Sequence, residues 1–249
     1  MLPSTNTAPN ITIHYEDSDL LVIDKPADLL SQKDHTGDID LTTLIKQYLA
    51  EKSQRSSPPY IGLLHRLDRP VSGLIMLAKN SRAASKCSRM MANQTIDKTY
   101  VAVVGGKAAV NGYLEDFLIK DQQRNIVRIS KPGNNGAKKA ILTYQRLSYH
   151  TSKKMSLIKV HLVTGRSHQI RVQLANQGLP ILFDQKYSTN SKSESPNRRD
   201  EGTNTSIALK STVLRFWHPI TEREISCTAL PDIEAFPWNY FLDELSNLK

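Results

Sequence analysis

Between Leu64 and Gly73 the chain reads Leu-His-Arg-Leu-Asp-Arg-Pro-Val-Ser-Gly, which seats Asp68 among Arg66 and Arg69 in a segment that closes with turn residues. A neighbouring guanidinium favours the ionised form of a carboxylate, so an aspartate in this setting is available to attack or to accept a proton at neutral pH. Ordinary surface loops contain Arg/Asp pairs too, and the segment alone does not separate the two readings. Three other places combine reactive or cationic residues at the edge of apolar runs. These are Lys25-Pro26, Lys98-Thr99-Tyr100, and Thr164–Arg171, which reads Thr-Gly-Arg-Ser-His-Gln-Ile-Arg. Each is expected at a strand end or a helix start, where side chains project into a cleft.

The elements that must hold these residues follow from periodicity. Ile11–Tyr15 and Leu20–Asp24 flank the turn Glu16-Asp17-Ser18-Asp19 and read as a hairpin, stopped by Pro26. Leu41, Leu44, Ile45, Tyr48 and Leu49 recur at helical spacing after Asp40, a good N-cap. Ser53–Pro59 breaks that helix, Leu74–Ala78 is a short strand, and Asn80-Ser81 caps a second helix with Ala84, Cys87, Met90 and Met91 inward. Strands are then expected at Thr99–Val104, Tyr113–Ile119, Ile126–Ser130, Ala140–Tyr149 and Leu157–Val163, between Gly/Asn-rich turns. A helix from Ser167 to Gln177 is stopped by Gly178, with Pro180 behind it. Ser188–Ser206 is polar and reads as a surface loop, Ala208–Phe216 and Arg223–Ala229 as the last strands, and a short helix follows Pro237. Residues 1–10 form a polar lead, and no internal repeat or linker divides residues 11–249. The expected fold class is α+β, one continuous domain on a large, mostly antiparallel sheet.

Lys and Arg outnumber Asp and Glu by 33 to 24, a formal charge of +9, which points to a polyanionic partner. Cys87 and Cys227 lack partners at metal-ligand spacing and read as buried free thiols of a reducing compartment. The apolar runs fall far below the roughly 18 residues that span a bilayer, and the N-terminus lacks a charged region followed by an apolar signal segment. A cytoplasmic chain without membrane contact is expected.

Taken together, the ordered set Asp24-Lys25-Pro26, His65-Arg66-Leu67-Asp68 with Ser72-Gly73, Lys98-Thr99-Tyr100, Thr164–Arg171 with Gly178-Leu179-Pro180-Ile181, and Leu214–Pro219 ending in His-Pro resembles the RluA-type pseudouridine synthase family. Any one of these motifs is weak, and five in order are specific. The resemblance implies a single catalytic domain whose sheet is flanked by helices around a central RNA-binding cleft. Many members of that family carry a small N-terminal RNA-binding domain; residues 1–10 alone precede the first expected strand, so no appended domain is expected, and the chain is expected to be a monomer. It implies an isomerase that breaks the N1–C1′ bond of a uridine in ribosomal or transfer RNA, turns the uracil and rejoins it through C5. No cofactor, metal or nucleotide is needed for such a rearrangement. The sequence agrees, carrying no phosphate-binding Gly-rich fingerprint and no Cys/His cluster; His161 and His168 lack a third ligand for zinc.

Carried over residue by residue, the resemblance makes Asp68 the catalytic aspartate, Arg171 the arginine that pairs with it, and Tyr100 the tyrosine that stacks on the flipped base and helps remove the C5 proton. Lys25, His65, Arg66, Arg69, Arg166, His168 and Gln169 are then expected to line the substrate cleft. Arg66 and Arg69 are candidates for filling the vacated stack or holding phosphates, and the two histidines read as hydrogen-bonded wall residues rather than general bases. Two departures stand out. The family's Gly-Asp-x-x-Tyr-Gly is here Phe183-Asp184-Gln185-Lys186-Tyr187-Ser188, without either glycine, so this loop is expected to take another path. Lys210 stands where a histidine is frequent. A catalytically inactive RNA-binding relative would be expected to lack Asp68 or its arginine, and both are present. A kinase reading of His65–Asp68 lacks a Gly-rich loop and Asp-Phe-Gly, and a serine hydrolase around Ser72 lacks Gly-x-Ser-x-Gly.

Overall fold

Asp17 starts the fold by closing the turn of the first hairpin: its Oδ1 accepts the backbone N–H groups of Asp19 and Leu20 at 2.8 and 2.7 Å. The hairpin joins β1 (Thr12–Glu16) to β2 (Leu20–Lys25). Asp40 then caps α1 (Leu41–Ser53), accepting from the N–H groups of Thr42 and Thr43 at 2.9 and 3.2 Å. A two-residue strand, β3 (Gly62–Leu63), too short to show any alternation in the sequence, pairs with β4 (Ser72–Ala78). Asn80 caps α2 (Ser81–Ala92) through the N–H of Ala83 at 2.9 Å. Cys87 of α2 is buried, as is Cys227 far along the chain, and both are free thiols.

Long strands follow: β5 (Asp97–Gly105), β6 (Asn111–Asp121), β7 (Ile126–Ser130), β8 (Lys138–His150) and β9 (Met155–Leu162). Helix α3 (Gln169–Asn176) is shorter than its sequence pattern because His168 has a left-handed φ of 51°, so regular helix begins only after it. Strands β10 (Leu209–Trp217) and β11 (Glu224–Thr228), one turn of 3-10 helix at Trp238–Tyr240 and α4 (Leu242–Ser246) complete the chain. This computed structural model describes residues 11–53, 59–188 and 206–248. The expected lead over residues 1–10 and nearly all of the polar loop Ser188–Ser206 lie outside the described residues.

The eleven strands form one sheet in the order β1-β2-β4-β10-β5-β9-β8-β6-β7, with β3 beside β4 and β11 beside β10. Side-chain alternation along β2 and β4 feeds two cores. Leu21, Ile23, Ile75 and Leu77 meet Leu41, Leu44, Ile45 and Leu49 of α1. Leu20, Val22, Leu74 and Met76 meet Ala83 and Cys87 of α2, with Ala84, Met90 and Met91 only partly buried at its edge. Helix α3 covers the far end of the sheet, setting Val172 against Leu118, Val127 and Ala140.

The ladders between these strands are antiparallel except where β10 meets β4, with Lys210 opposite Ser72 and Ser211 opposite Gly73. On its other edge β10 places Ser211 opposite Tyr100 of β5. Ser211 is therefore the point at which the half of the sheet carrying Asp68 meets the half carrying Tyr100. The join is tight: Gly73 has a φ of 121°, and a Cβ there would stand 2.3 Å from the carbonyl oxygen of Ser211. Only glycine fits this approach and this dihedral. Gly73→Ala is expected to cost roughly 3 kcal/mol of folding stability, read as a lowered urea midpoint; an unchanged midpoint would show that the join opens without penalty.

Candidate active site

Arg171, in the first turn of α3, projects into the interior, where it meets two carboxylates from different segments. Its Nη1 donates to Asp68 Oδ2 at 2.9 Å, while Nε and Nη2 donate to Asp184 Oδ2 and Oδ1, each at 2.8 Å. The Asp184 pair is a buried, bidentate fork; Asp68 retains 24% of its side-chain surface. Burial opposes the charge on Arg171, but the two carboxylates outweigh it and raise its pKa further. Asp184 also accepts the N–H of Lys186 through Oδ1 at 2.9 Å, so it is fixed by both the arginine and its own loop. The residue before it, Phe183, takes a φ of 63°, the left-handed turn a glycine would supply, and the loop thereby delivers Asp184 and Tyr187 to the site.

Tyr100 is buried at the β5–β10 seam, hydrogen-bonded to Ser211. Burial pushes its phenol up to about 12, the Ser211 bond pulling the other way and the charge of Asp68 adding to the rise. The side chain is a neutral phenol at physiological pH. His168 lies on the other side of Asp68, its Nε2 3.9 Å from Asp68 Oδ1 and its Nδ1 2.6 Å from the hydroxyl of Tyr187. Burial lowers its pKa to about 4, against the pull of Asp68.

Other residues expected in the cleft are placed differently. Lys25 is fully buried, and its ammonium donates to the carbonyls of Pro26 and Leu29 at 2.8 Å and of Arg69 at 3.2 Å. Three carbonyls consume its three hydrogens, so it fastens the loop carrying Asp68 to the end of β2 rather than facing substrate. Burial lowers its pKa to about 7 despite nearby Asp28, Asp68 and Asp24. Gln169 is likewise spent internally: Oε1 accepts from Thr164 Oγ1 and Arg166 N, and Nε2 donates to Ile141 O. Its role is to shape the Thr164–His168 turn. His65 accepts the N–H of Met76 at Nε2, 3.0 Å away, and burial, with Lys98 nearby, pushes its pKa down to about 3. It braces β4 from the segment that precedes it.

The three remaining arginines stay at the surface. Arg69 is exposed but tied, donating to Asp38 Oδ2 at 2.6 Å and to Asp28 O at 3.1 Å. Arg166 donates through Nε to Lys139 O at 2.9 Å, leaving the rest of its guanidinium exposed. Arg66 is exposed with no partner among the described residues. Lys210, the second departure noted in the sequence, spans both oxygens of Asp24 at 2.8 and 2.7 Å and so ties β10 to β2 across β4. Asp184, Tyr187 and Lys210 were not among the expected site residues. Asp184 and Tyr187 are the two residues of Gly-Asp-x-x-Tyr-Gly that this chain keeps, and that retention was the available signal.

Histidines elsewhere do not build a metal centre. His161 sits opposite Thr99 in the ladder, on the sheet face away from Tyr100, and pairs with Asp97 at 3.0 Å. The atoms of Asp17, Asp19 and His218 lie close enough to suggest a cation. His218 Nδ1, however, accepts the N–H groups of Ile220 and Thr221 at 3.2 and 3.0 Å, which puts the ring hydrogen on Nε2, 2.9 Å from Asp17 Oδ2. A metal would need that nitrogen bare.

Comparison with known proteins bears on the whole arrangement. The family described as RNA pseudouridylate synthase matches residues 19–176, which contain Asp68, Tyr100 and Arg171. The chain belongs to the RluA-type pseudouridine synthase family. An uncharacterized RNA pseudouridine synthase of Chlorobaculum parvum is 34% identical, over 92% of this chain and 75% of its own. The tRNA pseudouridine synthase C of Haemophilus ducreyi is 30% identical, over 92% of this chain and 97% of its own. The ribosomal large subunit pseudouridine synthase D of Vibrio cholerae is 30% identical over 89% and 68%. The solved structure of human RNA pseudouridylate synthase domain containing 4 shares the fold, with a TM-score of 0.72 at 22% identity over 94% of this chain and 93% of that one.

Proton linkage in this synthase follows from its two neutral histidines. His65 and His168 have folded-state pKa values of about 3 and about 4, below the 6.5 of an exposed imidazole. Below pH 6.5 the unfolded chain binds protons that the folded one refuses, so stability is full above that value and falls as pH drops from 6.5 toward 4. Thermal melts across this window are expected to show that decline, each histidine contributing a slope of up to about 1.4 kcal/mol per pH unit. His65→Gln should remove its share, and an unaltered slope would show that His65 titrates in the folded state.

Proposed function

We propose that Asp68 is the catalytic carboxylate of this pseudouridine synthase, held by Arg171 and used on a uridine flipped out of structured RNA. The observation that carries the reading is the three-way grip: a guanidinium locked by Asp184 presents one N–H to Asp68 Oδ2, while Oδ1 of the partly exposed carboxylate has only His168 Nε2 at 3.9 Å, beyond hydrogen-bond length. A carboxylate held at one oxygen and free at the other is oriented without being consumed. The rearrangement balances internally: the N1–C1′ bond breaks, a C5–C1′ bond forms, C5 loses a proton and N1 gains one.

Tyr100 supplies a flat, buried surface beside Asp68 on which a uracil stacks. With its phenol pushed up to about 12 it enters the reaction protonated, so its first task is to hold the base, and it accepts the C5 proton only after giving up its own. Flipping a stacked nucleotide costs a few kcal/mol, which stacking and phosphate contacts must offset. Arg66, exposed two residues from Asp68 and unpaired among the described residues, is placed to enter the gap left by the base. Lys120 and Lys186 lie near enough to depress the pKa of His168, and with Arg166 they make the rim of the site cationic. The overall charge of +9 supplies the longer-range attraction.

The relatives' names cover both ribosomal and transfer RNA, and this reading takes either as substrate. It also takes residues 11–249 as one catalytic domain, a monomer of the cytoplasm needing no nucleotide cofactor. Among the described residues no helix is long and apolar enough to cross a membrane.

Tritium release from RNA carrying 5-tritiated uridine tests the assignment. Wild type is expected to release tritium from bulk transfer RNA or ribosomal transcripts, and Asp68→Asn to release none while binding RNA within a few-fold; turnover by Asp68→Asn would remove Asp68 from the mechanism. RNA affinity is expected to fall linearly on a log–log plot against salt, with a slope of about 0.9 per phosphate neutralised on duplex. A flat plot would make the positive charge incidental to binding.

A further inference from the structure

Asp68 Oδ2 is taken by Arg171, and His168 approaches the other oxygen, its Nε2 3.9 Å from Oδ1. What His168 does there depends on which ring nitrogen carries the hydrogen. The imidazole is buried and neutral at pH 7, so it has one N–H and one lone pair to place.

Its surroundings decide the matter. Tyr187 Oη accepts the backbone N–H of Val127 at 2.8 Å, a donor fixed at the start of β7. The phenolic hydrogen then needs an acceptor, and His168 Nδ1 lies 2.6 Å away. If Nδ1 carried the hydrogen instead, Tyr187 would receive two N–H groups with its own O–H left over, and Nε2 would turn a lone pair on the Asp68 carboxylate. Both consequences are unfavourable, and both vanish when Tyr187 donates to Nδ1 and Nε2 carries the hydrogen.

We propose that Tyr187 and His168 are positioning residues for Asp68: a relay from the Val127 N–H through the Tyr187 hydroxyl fixes His168 in the tautomer that presents Nε2–H to Asp68 Oδ1. This rests on the reading of Asp68 as the catalytic carboxylate. Arg171 supplies charge on one oxygen, and His168 supplies an uncharged dipole on the other. A second cation at that point would hold Oδ1 in a tight ion pair, whereas a neutral donor beyond hydrogen-bond length orients the oxygen and leaves it free to react. The left-handed φ of 51° at His168 belongs to the same device, since it sets the ring between Tyr187 and Asp68 at the entrance to α3.

Long-range proton–nitrogen correlation spectra of histidine-labelled protein at pH 7 read the tautomer directly, and kinetics read its use. In wild type His168 is expected to show a bare Nδ1 and a protonated Nε2; a protonated Nδ1 would overturn the proposal. Tyr187→Phe is expected to populate both tautomers and lower kcat about tenfold, the worth of one neutral hydrogen bond, with KM within about twofold. His168→Gln, which keeps an N–H donor, should retain more activity than His168→Phe. Wild-type kcat in Tyr187→Phe, or equal losses in the two His168 variants, would also overturn it. Asp68→Asn is the control: turnover by that variant would defeat the reading of Asp68 itself, whereas an inactive Asp68→Asn beside a fully active Tyr187→Phe would defeat only the relay.

Discussion

One guanidinium shared by two carboxylates governs this molecule. Arg171 could not be buried alone, because the desolvation of a fixed positive charge costs several kcal/mol. Asp184 offsets that cost with a two-point fork from which Arg171 has no rotational freedom left. The third N–H direction is thereby aimed, and Asp68 occupies it. The two carboxylates are not equivalent: the buried one locks the arginine, and the partly exposed one is what the lock presents. Counted together the triad carries one net negative charge.

Around this centre the chain repeatedly uses polar groups to immobilise backbone. Lys25 gathers three carbonyls from the segments on either side of the cleft, Gln169 closes the turn before α3, and His65 takes up an N–H of β4. Each is engaged with backbone, and Lys25 has no hydrogen left over. They set the position of the segments from which Asp68 and Arg171 project, and the precision of the site is their product.

Much of this was legible in the sequence, and the part that was not has physical reasons. Strong local signals carried the helices: Asp40 and Asn80 sit one residue ahead of apolar periodicity, and each is the cap. The pairing of Asp68 with Arg171 was readable because both stand in short segments of unusual composition. Lys25 and Gln169 were misplaced for a common reason, that a polar side chain at the end of an element can turn outward to solvent or inward to backbone with little change in pattern. Convergence of Pro26, Leu29 and Arg69 carbonyls on one ammonium decides for Lys25, and that convergence is a property of the folded chain only. Asp184 and Tyr187 lie in a segment without periodicity, and the missing glycines drew the reading away from them. Phe183 shows why the absence was tolerable: its ring, stacked edge-on to Phe236 at 5.7 Å, holds in place a backbone turn that costs of order 1 kcal/mol outside glycine.

The insertion of β10 between β4 and β5 has a consequence in time. Asp68 and Tyr100 belong to halves of the sheet made early in synthesis, yet the strand that joins them is made late, Ser211 bonding Leu74 across 137 residues and Lys210 bonding Asp24 across 186. Until that strand is made, no ladder connects β4 to β5, and the segments holding Asp68 and Tyr100 share no strand pairing. Only when residues beyond Trp217 have left the exit tunnel can the last central strand dock. The synthase thus has no continuous sheet until Leu209–Trp217 has emerged, however early its other strands fold.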